Sequence, residues 1–372
     1  MLRARALRVA RARVRPCGAL GRFAPRQLSS DAASASGAPP FKKVMACNRG
    51  EIAVRIMRAA QELGAKTVGI YSHEDRHCVH RYKADETFLL DGGAATPVGA
   101  YLDQAEILRI ATENGVDAIH PGYGFLSENE EFANACGAAG IAFIGPTVHN
   151  LSIFADKVAA RQAAIAAGVP VVPGTDGPIE TFEEASTFCR DFGFPVIIKA
   201  TMGGGGKGMR IVRDDAGLEE AFQLCSSEAL AAFGDGTVFL ERYVERPRHI
   251  EVQILGDGTG ACVHLYERDC SVQRRHQKIV EIAPASGLDP ELRATLHADA
   301  LRLCGDQKYL NAGTVEFLIE PSTGRHYFIE VNPRVQVEHT VSEAVTGIDI
   351  VQSQMLLASG AKVRSVSISF NR

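Results

Sequence analysis

YFIEVNPRVQVEH, residues 327–339, carries its polar side chains on even numbers from Glu330 to Glu338: Glu330, Asn332, Arg334, Gln336 and Glu338. Val331, Pro333, Val335 and Val337 take the odd positions. Side chains of an extended chain alternate between faces, so one face presents acid, amide, guanidinium, amide and acid while the other is apolar. A half-exposed strand is the plainer alternative, although such faces more often mix Thr, Ser and Lys. Pro333 cannot donate to a ladder, which predicts a bend or an edge there. Upstream, GTVEFLIE (313–320), the turn PSTG and RHYFIEVN (325–332) read as a hairpin. Glu316 and Glu330 each lie seven residues from Thr323 and so face one another. Opposed carboxylates destabilise a sheet unless a hard dication lies between them, with Asn332 as a further oxygen ligand. The expectation is a Mg²⁺ (or Mn²⁺) site at Glu316, Glu330 and Asn332 that serves a nucleotide.

The 372 residues leave room for two or three domains, and 46% hydrophobic content suits a globular chain. No apolar run approaches the ~20 residues of a membrane span. Residues 1–40 hold eight Arg and one acid, Asp31, so behind the overall charge of −4 the rest of the chain sets 32 bases against 43 acids. That balance argues against nucleic-acid binding. MLRARALRVARARVRPCGALGRF, followed by SSDAASASGAPP, has the composition of an organellar transit peptide, and RQLSS (26–30) resembles a matrix-protease cleavage site. A mitochondrial matrix address is expected rather than a plastid one, with a disordered basic tail as the alternative. Nine cysteines without a CxxC pair fit a reducing compartment.

From 42 to 155, strand patterns (KKVMAC, KTVGIYS, ETFLL, VDAIHPGYG, IAFIG) alternate with helical ones, which predicts a parallel sheet covered on both sides. NRGE (48–51) and HPGYGFLSEN (120–129) fall at the strands' carboxyl ends, where such sheets bind ligands. His73, His77 and His80 lie in a charged, solvated segment and are not read as a metal site.

FPVIIKA (194–200), TMGGGGKG and MRIV form strand, loop and strand. Gly203, Gly205 and Gly208 spell G-x-G-x-x-G, but a strand follows where a dinucleotide fold needs a helix. The loop is not a P-loop either, since Lys207 precedes Gly rather than Ser or Thr. Gly203, Gly204, Gly205 and Gly206 leave backbone N–H groups free to approach phosphate, with Lys199 and Lys157 as further phosphate contacts; a flexible hairpin is the alternative. Downstream, Gln273, Arg274, Arg275, His276 and Lys278 cluster beside Cys270. Cys270 with His276 lacks an orienting partner for a thiol nucleophile. The run suits anions better, either phosphate or bicarbonate.

DK (156–157), VIIKATMGGGGKGMRIV, VFLERYVERPRHIEVQ, ERDCSVQRRHQKIVE, NAGTVEFL and FIEVNPRVQVEH together resemble, in order, the motifs of biotin carboxylase, an ATP-grasp family. The resemblance runs from 42 to about 358. Val331, Pro333 and Thr340 resemble the pyruvate carboxylase branch, where acyl-CoA carboxylases tend to have Met, Thr and Pro. It implies a Rossmann-like α/β domain (42–155), then an α+β ATP-grasp domain (156–360) with a lid at about 172–243, and an atypical tail (361–372). By resemblance, Lys157, Lys199, Gly203–Gly206, His249, Gln273 and His276 contact ATP, with Glu241 and Val244 at the adenine hinge. Glu316, Glu330 and Asn332 hold magnesium. Lys278, Arg334, Gln336 and Val337 form the bicarbonate pocket, with Glu338 as general base and Arg334 stabilising the biotin enolate. Partners implied are bicarbonate and a biotin carrier domain, in a homo-oligomer.

The family continues for roughly a hundred residues where this chain reads AKVRSVSISFNR and stops. The C-terminal biotin carboxylase subdomain is therefore expected to be missing, and no carboxyltransferase domain or biotinyl segment follows. Three alternatives remain: the biotin carboxylase part of an acyl-CoA carboxylase, another ATP-grasp ligase, and a non-catalytic nucleotide-binding fragment.

Overall fold

The computed structural model describes residues 40–94, 96–201, 209–275 and 277–363. The expected leader and most of the tail, SVSISFNR included, lie outside them. Five strands form a parallel sheet: β1 (Lys43–Ala46), β2 (Lys66–Tyr71), β3 (Glu86–Leu89), β4 (Ala118–His120) and β5 (Ala142–Phe143), in the order 3-2-1-4-5. That order reverses between β1 and β4, the switch point of a Rossmann-like fold. Met45, Val68 and Ile119 bury one face of this sheet, and Val44 and Ala46 bury the other against the helix Gly50–Glu62. Between β3 and β4 run two helices, Pro97–Ala100 and Gln104–Glu113, because Thr96 and Asp103 each cap a new start.

A second, three-stranded antiparallel sheet comprises β6 (Val196–Ala200), β7 (Met209–Val212) and β8 (Val238–Arg242), ordered 7-6-8. The helices Phe182–Phe192 and Leu218–Phe233 cover it. The third sheet runs β11-β10-β9-β12-β13, from β9 (Arg248–Asp257), β10 (Cys262–Arg274), β11 (Gln277–Ile282), β12 (Leu310–Ile319) and β13 (His326–Asn332). Val252, Ile254, Val315 and Phe317 on one of its faces pack on the helix Pro290–Asp306. The opposite face changes character along its length. Leu255 and Ala312 join the core shared with β1 and the helix Ile350–Ala358, whereas Glu251, Gln253, Thr314 and Glu316 leave the other half polar. Among the described residues no helix is long and apolar enough to cross a membrane.

The β12–β13 hairpin sets Glu316 directly opposite Glu330 and Thr314 opposite Asn332. Near the turn the pairing is Ile319 with His326 and Phe317 with Phe328, a register that would bring Ile329 against Glu316. A bulge at Ile329 adds one residue to β13 and restores the opposition. It also reverses the alternation, so Phe328 faces the core together with Val331. The extended reading of 327–339 is corrected at its far end. The strand stops at Asn332, before Pro333; Val335 is buried, but Val337 is 61% exposed, so the apolar face does not persist.

Candidate functional site

Register alone builds a row across the third sheet. Arg268 on β10 pairs with Glu251 on β9, Glu251 with Glu316 on β12, and Glu316 with Glu330 on β13. Three acids in line on a buried face require cations. Arg268, fully buried, donates to Glu251 Oε1 (2.5 Å), Gln253 Oε1 (2.8 Å), Ser342 Oγ (2.8 Å) and Gln336 Oε1 (2.8 Å). Lys278 on β11 places Nζ 2.8 Å from Glu316 Oε1 and 2.8 Å from Glu338 Oε1, and also meets Glu251 Oε2. Burial alone would lower the Lys278 pKa, but Glu316, Glu251 and Glu338 outweigh it and raise it far above the ordinary lysine value. Burial likewise pushes Glu338 up, and the Lys278 charge more than reverses this, so its carboxyl lies below the usual range.

Glu316 is the hub. Besides Lys278 it accepts from Asn332 Nδ2 (2.9 Å) and Gln336 Nε2 (3.1 Å) at Oε1, and it meets His249 Nε2 (2.6 Å) at Oε2. Gln273 Nε2 lies 2.9 Å from His249 Nδ1, so the imidazole receives there and donates from Nε2 to Glu316. Against burial, His249 and Lys278 hold the Glu316 carboxyl far below the usual range. Burial opposes the charge on His249 too, yet Glu316 raises its pKa.

Glu330 differs. No side-chain hydrogen bond reaches its carboxylate among the described residues; burial, then the Glu316 charge, raises its pKa against the pull of Lys157 and Lys199. It lines a cavity with Lys157, Lys199, Arg161, Glu241, Met209, Phe239, Phe328 and Ile329, between the three-stranded sheet and the β13 edge. Lys157 begins the helix Lys157–Ala166, whose first N–H groups Asp156 caps. Burial lowers the Lys157 pKa. Lys199 Nζ is 2.5 Å from Glu241 Oε2, and Arg161 NH1 is 3.3 Å from Glu241 Oε1. Val244 is buried with Val172 and Tyr327. Lys157, Lys199, Glu241 and Glu330 are thus brought together around one space. Gly203–Gly206 and His276 lie outside the described residues.

Beyond Pro333, Arg334 donates from NH2 to Asn332 Oδ1 (2.9 Å) and from Nε to Glu128 Oε1 (2.5 Å), linking the polar row to the loop after β4. Val337 turns its side chain to solvent, so only its backbone remains to contribute to a pocket. Cys270 is fully buried, and burial followed by Glu251 pushes its thiol up, opposite to an activated nucleophile. His80, read as solvated, is buried with Nδ1 accepting from Gly50 N. Sequence reading missed Glu251, Arg268 and Glu128. RHIEVQIL shows the signal for the first, since His249, Glu251 and Gln253 alternate with Ile250, Val252 and Ile254.

The residues fit a magnesium-nucleotide centre, because Glu330, with no donor hydrogen-bonded to its carboxylate among the described residues, faces Glu316 across the hairpin and shares its cavity with two lysines suited to phosphate. Residues 40–151 match the biotin carboxylase N-terminal domain model, and residues 156–366 match the model described as carbamoyl-phosphate synthase L chain, ATP binding domain. The chain is 55% identical over 333 residues to a pyruvate carboxylase of Aspergillus terreus, covering 89% of this chain and 28% of that protein. It is 56% identical over 329 residues to the mitochondrial pyruvate carboxylase of Mus musculus, covering 88% and 28%. The chain therefore spans little more than a quarter of the curated relatives it matches. Among solved structures, it resembles the biotin carboxylase domain dimer of Hydrogenobacter thermophilus 2-oxoglutarate carboxylase, in complex with MgADP, ADP and bicarbonate. That likeness has a TM-score of 0.84 and 46% identity, over 87% of this chain and 71% of that one. With one domain model following the other along the same chain, the protein belongs to the biotin carboxylase family of ATP-grasp ligases.

Proposed function

We propose that this chain catalyses the ATP- and bicarbonate-dependent carboxylation of biotin, the first half-reaction of a pyruvate carboxylase. The observation that carries the reading is the polar row itself. An acid without its own cation, Glu330, stands beside two lysines, and an ionised acid, Glu338, stands at the other end of the same chain segment. In this assignment Lys157 and Lys199 hold ATP phosphates in the cavity with Glu330, and Glu241 and Val244 border the adenine. Glu316, Glu330 and Asn332 hold the divalent cation, Mg²⁺ or Mn²⁺, which supplies neutralisation of phosphate charge. Gln273, through His249, keeps the imidazole turned toward Glu316.

Glu338 takes the bicarbonate proton. A bicarbonate oxygen then attacks the γ-phosphorus, the bond to ADP breaks, and carboxyphosphate forms. Lys278, Gln336 and the Val337 N–H bind the bicarbonate oxygens, and fixed donors of this kind stabilise charge as it develops. Carboxyphosphate separates into CO₂ and phosphate. The phosphate removes the ureido proton of biotin, Arg334 steadies the enolate, and the deprotonated ureido nitrogen of biotin attacks CO₂ to give carboxybiotin. The planar guanidinium suits both the carboxylate-like and the enolate oxygens.

The biotin rides on a carrier domain, the acceptor of the whole enzyme is pyruvate, the assembly is a homo-oligomer, and the working compartment is the mitochondrial matrix. These four assignments lean on the relatives of which this chain matches 28%. The test is ADP release by the purified chain with Mg-ATP, with and without bicarbonate and free biotin. Bicarbonate-dependent, biotin-stimulated release supports the proposal. Release indifferent to bicarbonate favours another ATP-grasp ligase, and Mg-ATP binding without release favours the nucleotide-binding fragment.

A further inference from the structure

The bicarbonate role given to Val337 can only come from its backbone, because the side chain is apolar and faces solvent. Its N–H meets no acceptor among the described residues. What aims that N–H is the peptide plane joining Gln336 to Val337. The bond is trans, the cis bonds being at Pro195 and Pro284. In a planar trans peptide the N–H points opposite to the preceding C=O. Holding the Gln336 carbonyl therefore sets the direction of the Val337 N–H.

His339 holds that carbonyl. Its ring Nδ1 lies 2.7 Å from Gln336 O, and its backbone N lies 3.2 Å from the same oxygen. A carbonyl only accepts, so Nδ1 carries the proton. The side chain is buried, and its Nε2 has no hydrogen-bond partner, the Glu343 carboxylate being 4.0 Å away. The ring is thus engaged through one nitrogen only, at the residue after Glu338. The Gln336 side chain is fixed independently, with Oε1 accepting from Arg268 and Nε2 donating to Glu316. Both ends of Gln336 are clamped, and His339 controls the backbone end.

We infer that His339 is a positioning residue whose Nδ1–H, by fixing the Gln336 carbonyl, aims the Val337 N–H at an oxyanion of a small planar acid. The inference rests on the bicarbonate reading above. The two ring nitrogens allow a sharp test, since Asn places an N–H donor near the Nδ1 position and Gln places one near Nε2. Valine-¹⁵N chain is prepared as wild type, H339N, H339Q and H339A, with circular dichroism to check folding and Val337→Ile to assign the amide peak. The ligand-free Val337 amide should coincide in wild type and H339N and move in H339Q and H339A. On bicarbonate titration the shift of that amide should weaken about ten-fold or more in the latter two, the effect of leaving a buried acceptor without its donor. H339N should stay within about three-fold of wild type, a margin under 1 kcal/mol. A Val337 amide that stays in place in folded H339Q overturns the inference, as does equal bicarbonate affinity in H339Q and H339N. A wild-type chain whose amides ignore bicarbonate counts against the bicarbonate reading instead, and the ligand-free comparison then still decides the role of His339.

Discussion

Glu251, Glu316 and Glu338 surround Lys278, while Glu330, directly across the hairpin from Glu316, has two lysines in its cavity but no hydrogen bond to either. The two groups meet at the polar half of one sheet face, where Glu316 on β12 pairs with Glu330 on β13. In the first, folding itself brings the compensating charge, and the pKa values of Glu316 and Glu338 fall. In the second, the acid is left to rise. A fold that neutralised Glu330 internally would be more stable and would leave nothing for an incoming cation to do. The contrast separates a scaffold part, whose charges are compensated within the fold even where Glu316, Lys278 and Glu338 also face a ligand, from an acid that folding leaves uncompensated, and stability is commonly given up at sites of the second kind.

The largest effect should come from breaking the scaffold part. Lys278→Met leaves three buried carboxylates facing one another. Removing one partner of a buried ion pair costs about 3–5 kcal/mol, against a total stability of about 5–15 kcal/mol. Urea unfolding should show a midpoint far below wild type, or no folded baseline. Adding Glu338→Gln, the acid whose ion pair is to Lys278, should return part of the loss, since the two changes touch one network and are not additive. A Lys278→Met chain with a wild-type midpoint would mean that the three acids do not depend on the lysine, and the distinction between the two groups would collapse.

Glu338→Gln tests the boundary between them. Lys278 keeps Glu251 and Glu316, so the variant should fold and bind Mg-ATP with unchanged affinity by calorimetry. Bicarbonate-dependent ADP release should fall by about 10²–10⁴-fold, the range for loss of a general base. Turnover at the wild-type rate would remove Glu338 from that role and make it scaffold like Glu251.

How much of this was legible follows the same division. The parallel sheet and the hairpin could be read because hydrophobic alternation and turn chemistry are local signals. The facing of Glu316 and Glu330 was also legible, but by counting from Thr323 as though the hairpin were regular, whereas the bulge at Ile329 supplies the missing residue. Nothing in HYFIEVN announces that bulge, because Ile329 looks like any other strand residue. The knot around Lys278 draws on β9, β10, β11, β12 and the turn after β13. Sequence could place Lys278 among anion-binding cations, yet it could not show that in the unliganded chain its anions are the protein's own carboxylates. Arg268 carries no local signal either, since an arginine in ERDCS reads as surface until the sheet closes over it.

The smallest of the expected effects is also the most direct measure of the contrast, and it concerns pH. An acid whose folded pKa is raised contributes stability that is fully present below its unfolded pKa, near 4.3, and that is lost as pH rises through the folded value. Glu330 is such an acid, by burial and by the charge on Glu316. Glu316 has the opposite sign, its contribution being lost only as pH falls. Comparing wild type with Glu330→Gln cancels the Glu316 contribution to first order, because both chains keep that acid with its His249 and Lys278 partners. Without metal, the two melting temperatures should agree near pH 5 and separate as pH rises, the glutamine chain becoming the more stable by about 2–4 °C at pH 8 if roughly 1 kcal/mol of repulsion is removed. Magnesium with ATP should then reverse the order, since a ligand raises the melting temperature of the chain that binds it and the variant lacks the acid that remained available. A pH-independent difference between the two chains would show that Glu330 is already compensated within the fold, and the acid assigned to the ligand would belong with the three around Lys278.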